Sequence, residues 1–293
     1  TRLTSARKDY LSNLEYSGDD TGTEFLFVKD LINKGNLLTI DQGIDGGNVF
    51  GMQFTNEHTE RNLYWVGGKG QWSDPGHWSL VPGVFPGGVC PPNIRDNVFF
   101  NALSGFQQGD TVFIDQKHSG FNDMFWDIIP NRPVLQGADT TTMHIWGSVK
   151  LDKTMTFAYM GDVYFDSEND EFYETIDLRN KVIKDGLNID MAHLFGKVFF
   201  YGKGGKWTLE NSKLIALNDT TFLSEGELLL ETDTMHLFNF QSTDTLTKGL
   251  YMMGKSLVSV HQGGNIDAWN FESYKVNEKT FFDAGRSTII SVG

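Results

Sequence analysis

The chain has 293 residues, with 24 Lys plus Arg against 38 Asp plus Glu, a formal net charge of −14. An acidic surface repels nucleic acid and anionic membranes, and no basic stripe offsets that balance, so neither is expected as a partner. With 32 Gly, 23 Phe, only 7 Pro and one Cys, the composition suits short strands joined by tight turns and excludes an internal disulfide framework or a thiolate metal cluster. Cys90 reads as a small buried apolar residue rather than a reactive thiol. No apolar run approaches the ~18 residues of a membrane helix. The chain opens on Thr1, with neither a charged n-region nor an apolar h-region behind it, which reads as a processed chain or a fragment lacking its targeting information.

Residues 1–63 open on polar 1-TRLTSARKDYLSNLEYSGDDTGTE-24, and only short pieces such as 25-FLFV-28 and 38-LTI-40 read as strands, with a few helical residues around 27–33. The stretch 64-YWVGGKGQWSDPGHWSL-80 follows, with three of the seven tryptophans. From about residue 96 the texture changes to brief apolar runs punctuated by Gly, Asp, Asn and Thr. They are VFF at 98–100, TVFI at 111–114, MHIWG at 143–147, VYF at 163–165, VFF at 198–200 and WTL at 207–209. LLL at 228–230, LFNF at 237–240, LYMM at 250–253, LVSV at 257–260, WNF at 269–271 and TII at 288–290 complete the series. Short strands at such spacing suggest a sandwich, a barrel or a solenoid. Three features favour the solenoid. The texture runs for nearly 200 residues, hairpin dipeptides are scarce with 185-DG-186 the main instance, and 145-IWGSVKL-151 loosely resembles 251-YMMGKSLVSV-260. A parallel β-helix lines up inward apolar residues and places Gly, Asn and Asp at its corners.

The glycine phrases 67-GGKG-70 and 202-GKGG-205 fit no phosphate-loop pattern, and each precedes a Trp, so they read as turns that deliver a ring into a core or cap. Asp166, Glu168 and Asp170 alternate as calcium ligands would, but Glu171 stands where an EF-loop needs Gly. No zinc pair of histidines, nucleophile elbow or Ser-His-Asp set appears. A β-helix can carry polysaccharide-cleaving carboxylates, for which Asp115, Asp123 and Asp127 are the candidates. Exposed aromatics can instead stack on sugars, with Trp126, Trp146, Tyr159, Trp269 and Tyr274 as candidate glycan contacts. Core packing is the competing reading of those rings.

The order of phrases 65-WVGGKGQWSDPGHWS-79, 96-DNVFF-100, 110-DTVFID-115, 123-DMFW-126, 134-VLQG-137, 143-MHIWGSVKL-151, 203-KGGKWTL-209, 228-LLLETDT-234, 269-WNF-271 and 287-STI-289 resembles the large repetitive surface adhesins of Bacteroidota. Those of gliding motility leave the cell by the type IX secretion system. The resemblance spans about residues 64–293 and rests on many weak phrases, the W-x-G-G-x-G-x-W-x-D-x-x-x-W phrase being the most specific. It implies an all-β, right-handed parallel β-helix, with 1–63 as the tail of a preceding unit or an N-terminal cap and 64–293 as a repeat unit continuing beyond the chain end. A Cys of the family's pattern is replaced by Asn122, so no cross-link from there to Cys90 is expected. The implied function is a non-enzymatic, extracellular, cell-surface structural and adhesive segment that holds no cofactor other than, at most, calcium. Its partners would be neighbouring units, a surface or polysaccharide target and the secretion and motility machinery. A polysaccharide-binding module, or a β-helical lyase or hydrolase, is the alternative. Trp65, Trp72, Asp74, His77 and Trp78 are expected as a structural cap cluster marking the start of the unit, with the three rings buried near one another, Asp74 reversing the chain and His77 hydrogen-bonding locally.

Overall fold

The computed structural model describes residues 2–5, 11–18, 23–24, 26–46, 48–56, 59–178, 181–184, 187–190, 192–194, 196–210, 213–231, 234–242, 246–252, 256–260, 269–271 and 280–291. Among these the chain is all-β, its one helical element being the 3-10 turn Pro75–His77. It divides into two compact units, Thr1–Glu60 and Arg61–Gly293, three residues before the boundary expected from sequence.

Within the larger unit nearly every strand pairs in parallel, in register, with one 19 to 42 residues further on. Leu63, Val98, Met124, Val149, Ile176, Leu209, Leu230 and Met252 succeed one another rung by rung in one such ladder. All eight are buried. A second ladder carries Phe121, Ile145, Phe165, Phe200 and Leu223. A third runs from Gly70–Gln71 through Thr111–Ile114 and Val134–Gly137 to Thr156–Tyr159. Strand alternation explains the rows: in Thr111–Ile114 the burial alternates residue by residue, so Val112 and Ile114 face in. Stacking like on like joins these rows into one core, and each fully buried Leu, Val or Phe contributes about 1.5–3 kcal/mol.

Two pairings among the described residues are antiparallel. Trp78–Ser79 returns against Tyr64–Trp65, and Lys181–Lys184 pairs with Leu187–Asp190. The turn 185-DG-186 of that second pairing lies outside the described residues, as does the expected glycan contact Tyr274.

The smaller unit follows the same parallel rule. Arg2–Thr4 pairs with Phe27–Lys29 and that with Ile44–Asp45, Ser12–Leu14 with Leu31–Asn33 and Val49–Phe50, and Leu38–Asp41 with Met52–Thr55. The helical residues expected around 27–33 are instead two strands, Phe27–Lys29 and Leu31–Asn33, separated by Asp30 in the left-handed region at φ 56°. A residue there ends a helix and turns a strand through a corner. The loose repeat of 145–151 in 251–260 also fails as a structural equivalence. Ile145 lies in the second ladder, whereas Tyr251 and Met252 lie in the first. The shared phrase reflects corner composition.

Candidate functional site

The three clustered tryptophans close the start of the larger unit. Trp65, Trp72 and Trp78 are 1%, 0% and 0% exposed. Trp78 meets Trp65 edge-on at 5.1 Å and Trp72 at 4.8 Å, and Trp65 lies flat on His77 at 4.7 Å. Asp74 starts the turn by accepting from the Gly76 amide at 2.8 Å, with Pro75 in the first turn position. His77 Nδ1 donates to the Val66 carbonyl at 2.7 Å, Trp65 Nε1 to Gly68 O at 2.6 Å and Trp78 Nε1 to Trp72 O at 2.8 Å. Gly67 and Gly68 take φ of 83° and 75°, which only glycine adopts without strain. Of the five residues named from sequence, Trp65, Trp72, His77 and Trp78 thus meet in one buried layer, while Asp74 stays exposed at its edge as the turn's cap, and no ring there is presented to a sugar.

The 202-GKGG-205 phrase lies within the strand Val198–Leu209, where the pairing with Lys213–Leu230 shifts register between Tyr201 and Lys206. A Cβ on Gly202 or Gly205 would strike the Ser167 carbonyl. Backbone close approach, rather than an anion, accounts for these glycines.

Alternation also creates outward rows. Tyr64, Phe99 and Phe125 stack at 5.2 and 5.4 Å along the first ladder. Along the second, His144, Tyr164, Phe199 and Phe222 stack at 4.6, 4.3 and 4.8 Å with interplanar angles of 14°, 6° and 5°. Such stacking spends the ring faces on neighbouring rungs and leaves edges to solvent. Of the expected glycan contacts, Trp126 and Tyr159 are core residues, 1% and 0% exposed. Trp126 lies inward because it stacks on Phe100 at 4.0 Å, and Tyr159 because its hydroxyl meets Thr141 Oγ1 at 3.0 Å. Burial holds the Tyr159 phenol well above its ordinary range. The side chain of Trp269 lies outside the described residues. Trp146 is half-buried beside His144, ring centroids 5.8 Å apart. The outward rows were missed in sequence, although the signal exists: in each V-F-F triplet, alternation sends the middle residue outward.

The candidate acids serve turns and ladders. Asp115 accepts from the Ser73 amide at 3.0 Å and from its hydroxyl. Asp123 accepts from the Ser148 amide at 2.6 Å, and Asp127 is exposed. Side-chain amides climb the same side, Asn122 donating to Asn97 at 2.9 Å and Asn97 to Asn62 at 3.2 Å. Arg61 holds the fully buried carboxylate of Asp96 through two bonds of 2.9 and 2.7 Å. Of the three expected calcium ligands, Asp166 is bound to His144 at 2.6 Å, while Glu168 and Asp170 are exposed. No group of three or more His, Cys, Asp or Glu among the described residues converges on a metal position. Tyr173, partly desolvated and donating to Glu227 at 3.2 Å, has its phenol pushed up to about 12.

Known proteins leave the family open. Comparison of the chain with protein-family models, with curated proteins and with solved structures finds no match in any of the three. No helix among the described residues is long and apolar enough to cross a membrane.

The cap carries one surface that sequence reasoning missed. Leu80, Val81, Val84 and Phe85 follow the last tryptophan and are 50–58% exposed. They are held by bonds from the Val81 amide to Ser79 Oγ at 3.1 Å, Gly87 to Gly76 O at 2.7 Å and Val89 to Trp78 O at 3.2 Å. Cys90, expected to be buried, is exposed in the same segment, because Val89 is the residue tucked against the core.

Proposed function

We propose that the chain is a right-handed parallel β-helical segment of an extracellular bacterial surface protein, a non-enzymatic stalk and attachment surface of the gliding-adhesin kind. The observation that carries this reading is the succession of in-register parallel rungs with continuous inward apolar rows. A barrel would offer each strand two flanking partners once around. Here Lys213–Leu230 alone pairs with strands of four different segments along its length. That suits a chain winding through several faces. Stacked rungs are stiff along their axis, and reach then scales with the number of units. Attachment would be weak per contact and multiplied by repetition.

In a Cys90→Ser background, the double substitution Phe99→Cys and Phe125→Cys, at positions that face each other on adjoining rungs, should cross-link on oxidation, and failure to do so would overturn the β-helix. Beads coated with the chain should hold to glass or polysaccharide-coated surfaces more firmly than albumin-coated beads. Equal detachment under flow would overturn the adhesive part. Trp146, partly accessible on an outward face, favours a polysaccharide as the target, and Trp146→Ala should then weaken retention on that surface alone. The enzyme alternative requires polysaccharide turnover that Asp123→Asn abolishes.

A further inference from the structure

The apolar surface over the tryptophan cap has a definite extent. Leu80, Val81, Val84 and Phe85 form a turn closed by Val84 N to Val81 O at 3.4 Å. Leu103, 60% exposed, adjoins it, since a Cβ on Gly83 would sit 3.3 Å from the Leu103 Cβ. Five such side chains at this exposure leave roughly 500 Å2 of contiguous apolar surface, the size at which a patch on a monomer is commonly functional. The segment is anchored at both ends to the cap, so the surface is preformed and docking orders little chain.

Charge indicates what fits it. In a chain of net −14, residues 75–109 carry only Arg95 and Asp96, and Asp96 is buried against Arg61. Two copies repel each other over most of their surface; here the exposed Asp74 borders the patch through His77 and Phe85, but the five apolar side chains themselves bring no charge into contact. A patch of this size, met by its equal, approaches the ~800 Å2 per partner of a standard stable interface without reaching it. We propose that this face is a self-association surface, through which two copies meet in a weak, two-fold symmetric contact made by Leu80, Val81, Val84, Phe85 and Leu103.

Sedimentation velocity of the full chain over a concentration series tests this. The weight-average mass should rise from 33.0 kDa towards twice that value. Val84→Asp, placed on the exposed turn, should raise the dissociation constant about tenfold or more with unchanged tryptophan fluorescence from the cap. Cys90 gives a second readout. With diamide as oxidant, two thiols lose two electrons and two protons to form one disulfide between copies, while diamide is reduced to its hydrazine. Wild type should cross-link faster than Val84→Asp at equal concentration. A wild type monomeric at every concentration overturns the proposal, as does a dimer that survives Val84→Asp. A monomer that instead sediments with neutral phosphatidylcholine vesicles assigns the patch to lipid and likewise overturns it.

Discussion

In residues 1–60 a strand meets its parallel partner 14 to 25 positions later, whereas in residues 61–293 the step is 19 to 42. A shorter step encloses fewer inward positions. Among its described residues the first unit accordingly gathers Val28, Leu31, Leu38 and Ile40 as a buried cluster, surrounded by half-buried residues. The second gathers a single core that runs from Leu63 to Val260 and includes four buried tryptophans besides Trp207. Corners differ too. The smaller unit turns at Asp30, Gln42, Asn48 and Asn56, all at positive φ. The larger relies mostly on glycines such as Gly67, Gly68, Gly105 and Gly109. Where the core is thin, polar corner side chains take over the cohesion. Asn48 donates to Asp30 at 3.0 Å, and Asn56 to Asp41 at 2.8 Å.

The comparison breaks most visibly at the cap. Trp78→Ala removes a ring packed against Trp65, Trp72 and Phe100, and a cavity of that kind costs about 3–5 kcal/mol. Calorimetry should show the transition of the larger unit fall by several degrees while that of residues 1–60 stays fixed. Movement of both transitions together would show that the units do not melt independently.

The matching test in the smaller unit is polar. Asn33, 6% exposed, accepts from the amides of Tyr16 and Gly35 at 3.1 Å each and donates to Asn36 O at 2.6 Å and Gly51 O at 3.0 Å. Asn33→Ala removes four hydrogen bonds to the backbone and should cost about 2–4 kcal/mol. Hydrogen exchange should accelerate over 12–55 and remain unchanged beyond residue 61. If Val28→Ala costs residues 1–60 far more than Asn33→Ala, the reliance on polar cohesion is wrong.

Why the larger unit was more legible than the smaller one follows from the same contrast. Runs such as 111-TVFI-114 and 257-LVSV-260 coincide with strands because several apolar residues per face feed long inward rows. In residues 1–60 the expected 38-LTI-40 does fall in the strand Leu38–Asp41 and 25-FLFV-28 overlaps Phe27–Lys29, but pieces such as Ser12–Leu14 bury no residue fully, and no period stands out against the polar background. Trp65, Trp72 and Trp78 were readable because glycines and Asp74-Pro75 leave few ways to place three rings. Trp126 and Tyr159 were misplaced because an isolated aromatic in a short strand gives no sign of which face it takes. Cys90 and the apolar turn at 80–85 depended on which residue the cap tucks in, and that is a matter of tertiary packing.

Corner chemistry gives a smaller effect. Asn48 is held at φ 56° and bonded to Asp30. Asn48→Ala loses the bond and meets the full left-handed penalty, about 1–2 kcal/mol. Asn48→Gly loses the bond but relieves the backbone, and should lie within about 0.5 kcal/mol of wild type. Urea titration of residues 1–60 separates the two, and equal losses would mean that the bond rather than the conformation dominates.

The smallest effect distinguishes ring packing from hydrogen bonding inside the larger core. Trp126 Nε1 is buried with no hydrogen-bond partner among the described residues, while Trp78 Nε1 donates to Trp72 O at 2.8 Å. Both rings stack or abut Phe100, so replacing either with Phe creates a similar void. At Trp126 the void is offset by removal of an unpaired donor, which itself costs about 1–3 kcal/mol when buried. Trp126→Phe should therefore change stability by less than about 1 kcal/mol. Trp78→Phe, which leaves a buried carbonyl without its donor, should cost more by about 1–2 kcal/mol. Paired denaturant melts read the difference directly. Equal costs would mean that the cap is held by shape alone, and that the indole bond to Trp72 adds nothing to it.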